Sequence, residues 1–151
     1  MANKIVCVTA GHSNTGKIDS GAVTTVGGKL MKEAIKLIKG SDAAVEIHLN
    51  SSTNKTANGV ECIALPKDKV LAQKLSAAVS KVTGSRLRGV GGFITQEDSA
   101  RGKLGYINAG GLILEVSFLS NDQELETFNQ KYWLIGKAVA QVILDYVKTK
   151  K

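Results

Sequence analysis

The chain has 151 residues, 43% of them hydrophobic, with 20 Lys and Arg against 13 Asp and Glu for a net charge of +7. That length suits one domain able to bury about two-thirds of its unfolded surface, and a single proline with no repeat or low-complexity tract argues against a linker-joined array. No run approaches the ~20 apolar residues of a membrane helix, so membrane insertion is not expected, and Met1-Ala2-Asn3-Lys4 leads directly into a strand pattern without the apolar stretch of a signal peptide.

Along the chain, the first strand pattern falls near 4–9, where Ile5-Val6-Cys7-Val8-Thr9 is almost wholly apolar, as in a strand covered on both faces. Lys29 to Lys39 places Leu30, Met31, Ala34, Ile35 and Ile38 on one stripe and stops at Gly40, which predicts a helix. A second strand is expected near 44–49 and a third over Val60 to Leu65. Only the polar loop Ser51 to Gly59 separates these two, so they are expected to pair antiparallel. Pro66 opens a helix that carries Val70, Leu71, Leu75, Ala78, Val79 and Val82 before Gly84. A strand near 91–95 follows, and Arg101-Gly102-Lys103-Leu104-Gly105 reads as a groove-side loop before the strand near 112–118. Asn121 caps a further helical segment, with Glu124 completing a capping box. The last helix, about 131–148, presents Trp133, Ile135, Val139, Val142, Ile143 and Val147.

Strands alternating with helices predict an α/β fold: a single domain with a mostly parallel twisted sheet of five to six strands flanked by helices. The first strand and the strand ending in His48 are joined by one helical crossover, expected to be right-handed.

The two histidines of the chain, His12 and His48, each end an apolar run. In open α/β sheets the carboxyl ends of neighbouring strands converge on one crevice, and neutral imidazole is a common zinc ligand. Glu115 interrupts Leu112-Ile113-Leu114-Val116, a run that reads as buried on both faces. A buried unpaired carboxylate costs several kcal/mol or becomes neutral, and a nearby divalent cation or a Lys or Arg partner would relieve that cost. Cys7 and Cys62 read as free thiols inside strands, and their spacing to the histidines matches no zinc finger. Gly89-Val90-Gly91-Gly92 does not sit between a strand and a helix, so it fails the context of a phosphate loop. The basic residues are scattered without a stacking motif, which favours an anionic surface as partner but not nucleic acid.

Three blocks would meet at one sheet end: Gly11-His12-Ser13 with Asp19-Ser20-Gly21-Ala22, then Glu46-Ile47-His48-Leu49-Asn50-Ser51, then Leu114-Glu115-Val116-Ser117-Phe118-Leu119-Ser120-Asn121. In this order they resemble the signature blocks of the zinc-dependent N-acetylmuramoyl-L-alanine amidases, most closely the phage endolysin branch. Asn58-Gly59-Val60-Glu61 also looks like that family's Gly-Val-Glu strand.

The resemblance implies Zn²⁺ as cofactor, His12 and His48 as metal ligands and Glu115 as the catalytic carboxylate. It also implies peptidoglycan as substrate, cut between N-acetylmuramic acid and L-alanine. The third ligand departs from the family pattern, in which a helix glutamate is followed by a further strand and helix before the second histidine. Here only 35 residues lie between His12 and His48. Glu33 is the expected third ligand, with Glu46, on the strand face of His48, and Asp19 as alternatives. Ser13, Asn50 and Ser117 flank the expected ligands and either orient them, bind substrate or cap local turns.

The expected organisation is residues 1–151 as one amidase catalytic domain without a separate wall-binding domain. A monomer is expected, made in the cytoplasm of the producing cell and acting on the wall after release. Two competing readings are an amidase-like domain that lost its third ligand and only binds wall polymer or a protein, and a nucleic-acid-binding α/β domain, which leaves Glu115 unexplained.

Overall fold

The computed structural model describes residues 4–10 and 35–150. His12, Ser13, Asp19 and Glu33, and most of the helix expected over Lys29 to Lys39, lie outside them. Five strands form one sheet: β1 (Val6–Ala10), β2 (Ala43–Asn50), β3 (Glu61–Ile63), β4 (Phe93–Ile94) and β5 (Leu112–Phe118), in the spatial order β1-β2-β5-β3-β4. β1 pairs parallel with β2, and β2 parallel with β5. β3 runs antiparallel to β5 and parallel to β4.

The single α/β domain with a mostly parallel five-stranded sheet flanked by helices is as expected: three of the four strand pairings are parallel and only β3 with β5 is antiparallel, but one expected pairing is overturned. β3 does not join β2, although only a loop separates them. β5 inserts between the two and takes hydrogen bonds from both. The physical reason is burial: β5 is apolar at nearly every position and gains most in the middle of the sheet.

Residues 35–38 form a helical turn (α1) before Gly40. Pro66 opens a short 3₁₀ turn, Pro66–Asp68, that runs into α2 (Lys69–Thr83). α3 (Gly105–Asn108) follows the loop of residues 101–104, and α4 (Asp122–Thr149) closes the chain. α4 replaces the two helices expected from 121 and from 131. Nothing between Asn121 and Gly136 can stop a helix, and its 28 residues extend about 42 Å.

Asn121 caps α4 as expected, its Oδ1 accepting from the amides of Gln123 and Glu124. The reciprocal half of the box is not made. The Glu124 carboxylate instead accepts from the amides of Gly59 and Phe118, each at 2.9 Å, and ties the start of β3 to the end of β5.

The helices cover the sheet unequally. α2 and α4 pack on one face, where Val45, Cys62, Leu114 and Val116 meet Leu71, Leu75 and Val79 from α2 and Ile135, Val139, Ile143 and Val147 from α4. Each such side chain contributes about 1.5–3 kcal/mol by leaving water. The opposite face has a smaller core of Cys7, Ala44, Ile63 and Ile113 beneath Ile38, Tyr106 and Ile107. Trp133, expected in the α4 stripe, is exposed because the four-residue row from Ile135 already fills the α4 contact, and Val70 is exposed because α2 packs through Leu71, Leu75 and Val79. Cys7 and Cys62 are free and buried. Among the described residues no helix is long and apolar enough to cross a membrane.

Candidate active site

Strand alternation puts every second residue of β2, β3 and β5 on the smaller-core face. In register across that face stand His48 on β2, Glu115 on β5 and Glu61 on β3. With strands about 4.8 Å apart, the row spans roughly 10 Å. The antiparallel course of β3 matters here, because it brings an amino-terminal residue, Glu61, level with the carboxyl-terminal halves of β2 and β5. Glu46, two residues before His48 on the same face, places Oε2 2.8 Å from His48 Nε2.

A register shift between His48 and Asn50 adds one residue to β5, so that Asn50 lies opposite Phe118. Ser117 is taken out of the site by the same shift, and its Oγ donates to the Glu124 carbonyl. Asn50 uses its Nδ2 to donate to Glu61 Oε1 and its Oδ1 to accept from the Ser51 amide.

Glu115 carries the least compensated charge of this row. Its Oε2 is buried and has no hydrogen-bond partner. Burial pushes its carboxyl up to about 7; His48 and Arg101 oppose the rise, and the neighbouring Glu61 and Glu46 add to it. Glu61, by contrast, is fully engaged: Arg88 Nε donates to its Oε2 and Asn50 to its Oε1.

The donor set suits a zinc ion in kind, with an imidazole, a carboxylate beside it and a buried carboxylate oxygen left unpartnered. Among the described residues no group of three potential ligands gathers. Of the expected set His12, Glu33 and His48, the structure places only His48, since the other two lie outside the described residues. Glu46 stands closer to His48 than its spacing along the strand suggested, since the two side chains meet in a 2.8 Å contact. Cys62 is excluded as a ligand: it packs into the core on the other face, and burial pushes its thiol up.

Sequence reasoning missed Arg88 and gave Glu61 no role. Glu61 was visible in the Gly59-Val60-Glu61 block, but Arg88 had no signal beyond preceding a glycine-rich stretch. Only the pairing of residues 86–88 with the start of β3 brings it to the site.

The sequence model of the N-acetylmuramoyl-L-alanine amidase family Amidase_3 matches residues 29–145. Among solved structures, the chain is similar to a putative N-acetylmuramoyl-L-alanine amidase from Neisseria meningitidis. The two share 34% identity over 93% of each chain, with a TM-score of 0.79. Its fold is shared by the catalytic domain of the N-acetylmuramoyl-L-alanine amidase CwlV from Bacillus (Paenibacillus) polymyxa var. colistinus, at 21% identity, 98% and 100% coverage and TM-score 0.72. It is also shared by the catalytic domain of CD27L, an endolysin targeting Clostridia difficile, at 16% identity, 95% and 98% coverage and TM-score 0.73. No curated protein matches the chain.

Proposed function

The chain belongs to the N-acetylmuramoyl-L-alanine amidase family, and on that premise we propose that it is a zinc-dependent hydrolase with Glu115 as its general base and acid. The observation that carries this reading is the Glu115 carboxyl itself, buried in an otherwise apolar strand, with one oxygen unpartnered and its acidity moved to about 7. A carboxyl poised near neutrality can both take and return a proton at working pH.

His12 and His48 would hold the metal with one carboxylate, Glu33 or in its place Glu46 or Asp19. When bound, zinc would polarise the amide carbonyl and acidify a water. Glu115 accepts the proton of the attacking water, and the bond between the lactyl carbonyl of muramic acid and the L-alanine nitrogen breaks. Glu115 then returns the proton to the departing amine. Asn50 and Arg88 hold Glu61 in place beside it. With a metal on His48 Nδ1, Nε2–H would keep donating to Glu46 and orient the ring; with a metal on Nε2, Glu46 would join the ion or turn away.

The same proposal covers a lytic, endolysin-like role on the cell wall. It rests there on the three signature blocks. The decisive experiment is mass spectrometry of peptidoglycan digested by the zinc-loaded protein. Free stem peptides beginning with L-alanine are expected, and intact muramoyl-peptide linkages after complete metal loading would overturn the reading. Zinc titration of Glu33→Ala, Glu46→Ala and Asp19→Ala identifies the third ligand as the variant that loses affinity.

A further inference from the structure

Arg88 stands at the edge of the carboxylate row and is mounted more firmly than an ion pair with Glu61 requires. The Val60 amide donates to the Arg86 carbonyl at 2.9 Å and the Arg88 amide to the Val60 carbonyl at 3.0 Å, so residues 86–88 ride on β3. The glycines around this segment allow the close approach. A side chain at Gly59, where φ is +110°, would put its Cβ 2.7 Å from the Arg86 carbonyl oxygen, and one at Gly92 would collide with Ser76 of α2. The glycine-rich stretch that fails as a phosphate loop thus serves as a bracket for Arg88.

Three contacts fix the guanidinium. Nε donates to Glu61, Nη1 donates to the Asn58 carbonyl at 3.3 Å, and the group lies 5.0 Å from the centre of the Phe118 ring. A guanidinium has five N–H donors, and the side chain remains 29% exposed, so its outer edge is left to face a ligand. Arg86 stands beside it with Nε on Asn58 Oδ1, adding a second positive charge.

We propose that Arg88 is the specificity residue for the peptide side of the substrate, binding a carboxylate carried one residue beyond the L-alanine nitrogen. This rests on the amidase reading above. The choice of ligand follows from the chemistry of the bond. The only carboxyl group of N-acetylmuramic acid is consumed in the scissile amide, so the nearest anion must lie on the peptide. One residue of extended chain spans about 3.3–3.6 Å. Glu61, the partner of Arg88, stands one strand from Glu115, so a carboxylate one to two residues past the cleaved bond falls within reach. Planar, bidentate recognition of a carboxylate is what a rigidly held guanidinium does best.

The test uses the zinc-loaded full chain and two N-acetylmuramoyl-L-alanyl-D-glutamate γ-amides, one with a free α-carboxylate and one with that group amidated. The parent is expected to prefer the free acid by about 10- to 100-fold in kcat/KM, as for a charge-assisted hydrogen bond, with the difference in KM. Arg88→Gln should bring the two substrates within about twofold of each other in kcat/KM, whatever the change in turnover common to both. Glu61→Gln/Arg88→Gln, which removes the Glu61 carboxylate together with its partner, should do the same if the single variant folds poorly. Equal turnover of both substrates by the parent, or a preference that survives in the variants, would overturn the proposal. If the zinc-loaded parent cleaves neither substrate, the amidase reading fails instead. Calorimetric binding of the same two compounds then decides on Arg88 alone: an Arg88-dependent preference supports it and equal binding refutes it.

Discussion

The two faces of the sheet are built from the same strands and could hardly differ more. On β2, Val45, Ile47 and Leu49 turn toward α2 and α4, while Glu46, His48 and Asn50 turn the other way. On β5, Leu114 and Val116 join the large core while Glu115, between them, joins the polar row. The lesson is that a period of two lets one strand be scaffold and site at once. The large core anchors the strands whose register sets His48, Glu115 and Glu61 in one row across the other face. The polar face in turn is poorly stabilised by its own contacts, and Glu115 in particular is a cost to the fold.

Substitutions on adjacent residues of β5 should separate these roles. Glu115→Gln is expected to lower kcat by about 10²–10⁴-fold, the usual share of a general acid–base, while metal content and folding are retained. Zinc analysis and hydrolysis of muramoyl-peptides check both, and near-parent turnover would make Glu115 structural. Leu114→Ala, one residue away and fully buried, should reverse the pattern. It should destabilise the protein by about 2–5 kcal/mol through the cavity it leaves, with the activity of the remaining folded molecules close to that of the parent below the transition. Loss of turnover without loss of stability in that variant would break the division between faces.

A pH series sharpens the comparison further. The Glu115 carboxyl rises from 4.5 to about 7 in the fold, so the folded state binds its proton more tightly than the unfolded chain. Its relative contribution is therefore most favourable below pH 4.5 and is lost as pH rises through 7. In chelator-treated protein, Glu115→Gln should change stability little near pH 4 and raise it by up to about 3 kcal/mol near pH 8. Denaturant unfolding at the two pH values measures this, and an equal change at both would show that the carboxyl does not titrate this way. The smallest expected effect is Asn121→Ala, which removes the cap of α4 and a hydrogen bond to the Ala57 carbonyl. About 1 kcal/mol should be lost, read as a lowered Tm with unchanged KM.

Much of this was legible in the residues themselves. The strands appeared from apolar runs, α2 from its spacing after Pro66, and the α4 cap from Asn121. Glu115 stood out because a carboxylate in an apolar run demands an explanation. The length of α4 was harder to read, since its middle is polar on most sides and no breaker marks it as continuous. Glu124 was misread in part because its local spacing fits a capping box, whereas its carboxylate is used by amides 65 and 6 residues away.

The sequence by itself determined which residues could do chemistry and which periodicities could fold, because both are properties of side-chain type and spacing. The tertiary structure decided the rest. Placing β5 between β2 and β3 set Glu115 between His48 and Glu61, and the shift opposite Asn50 brought Phe118 round and took Ser117 away. The pairing of residues 86–88 with the start of β3 carried Arg88 to the site. These are long-range hydrogen-bond registers, fixed by which strands gain most from burial, and no local pattern in the chain encodes them.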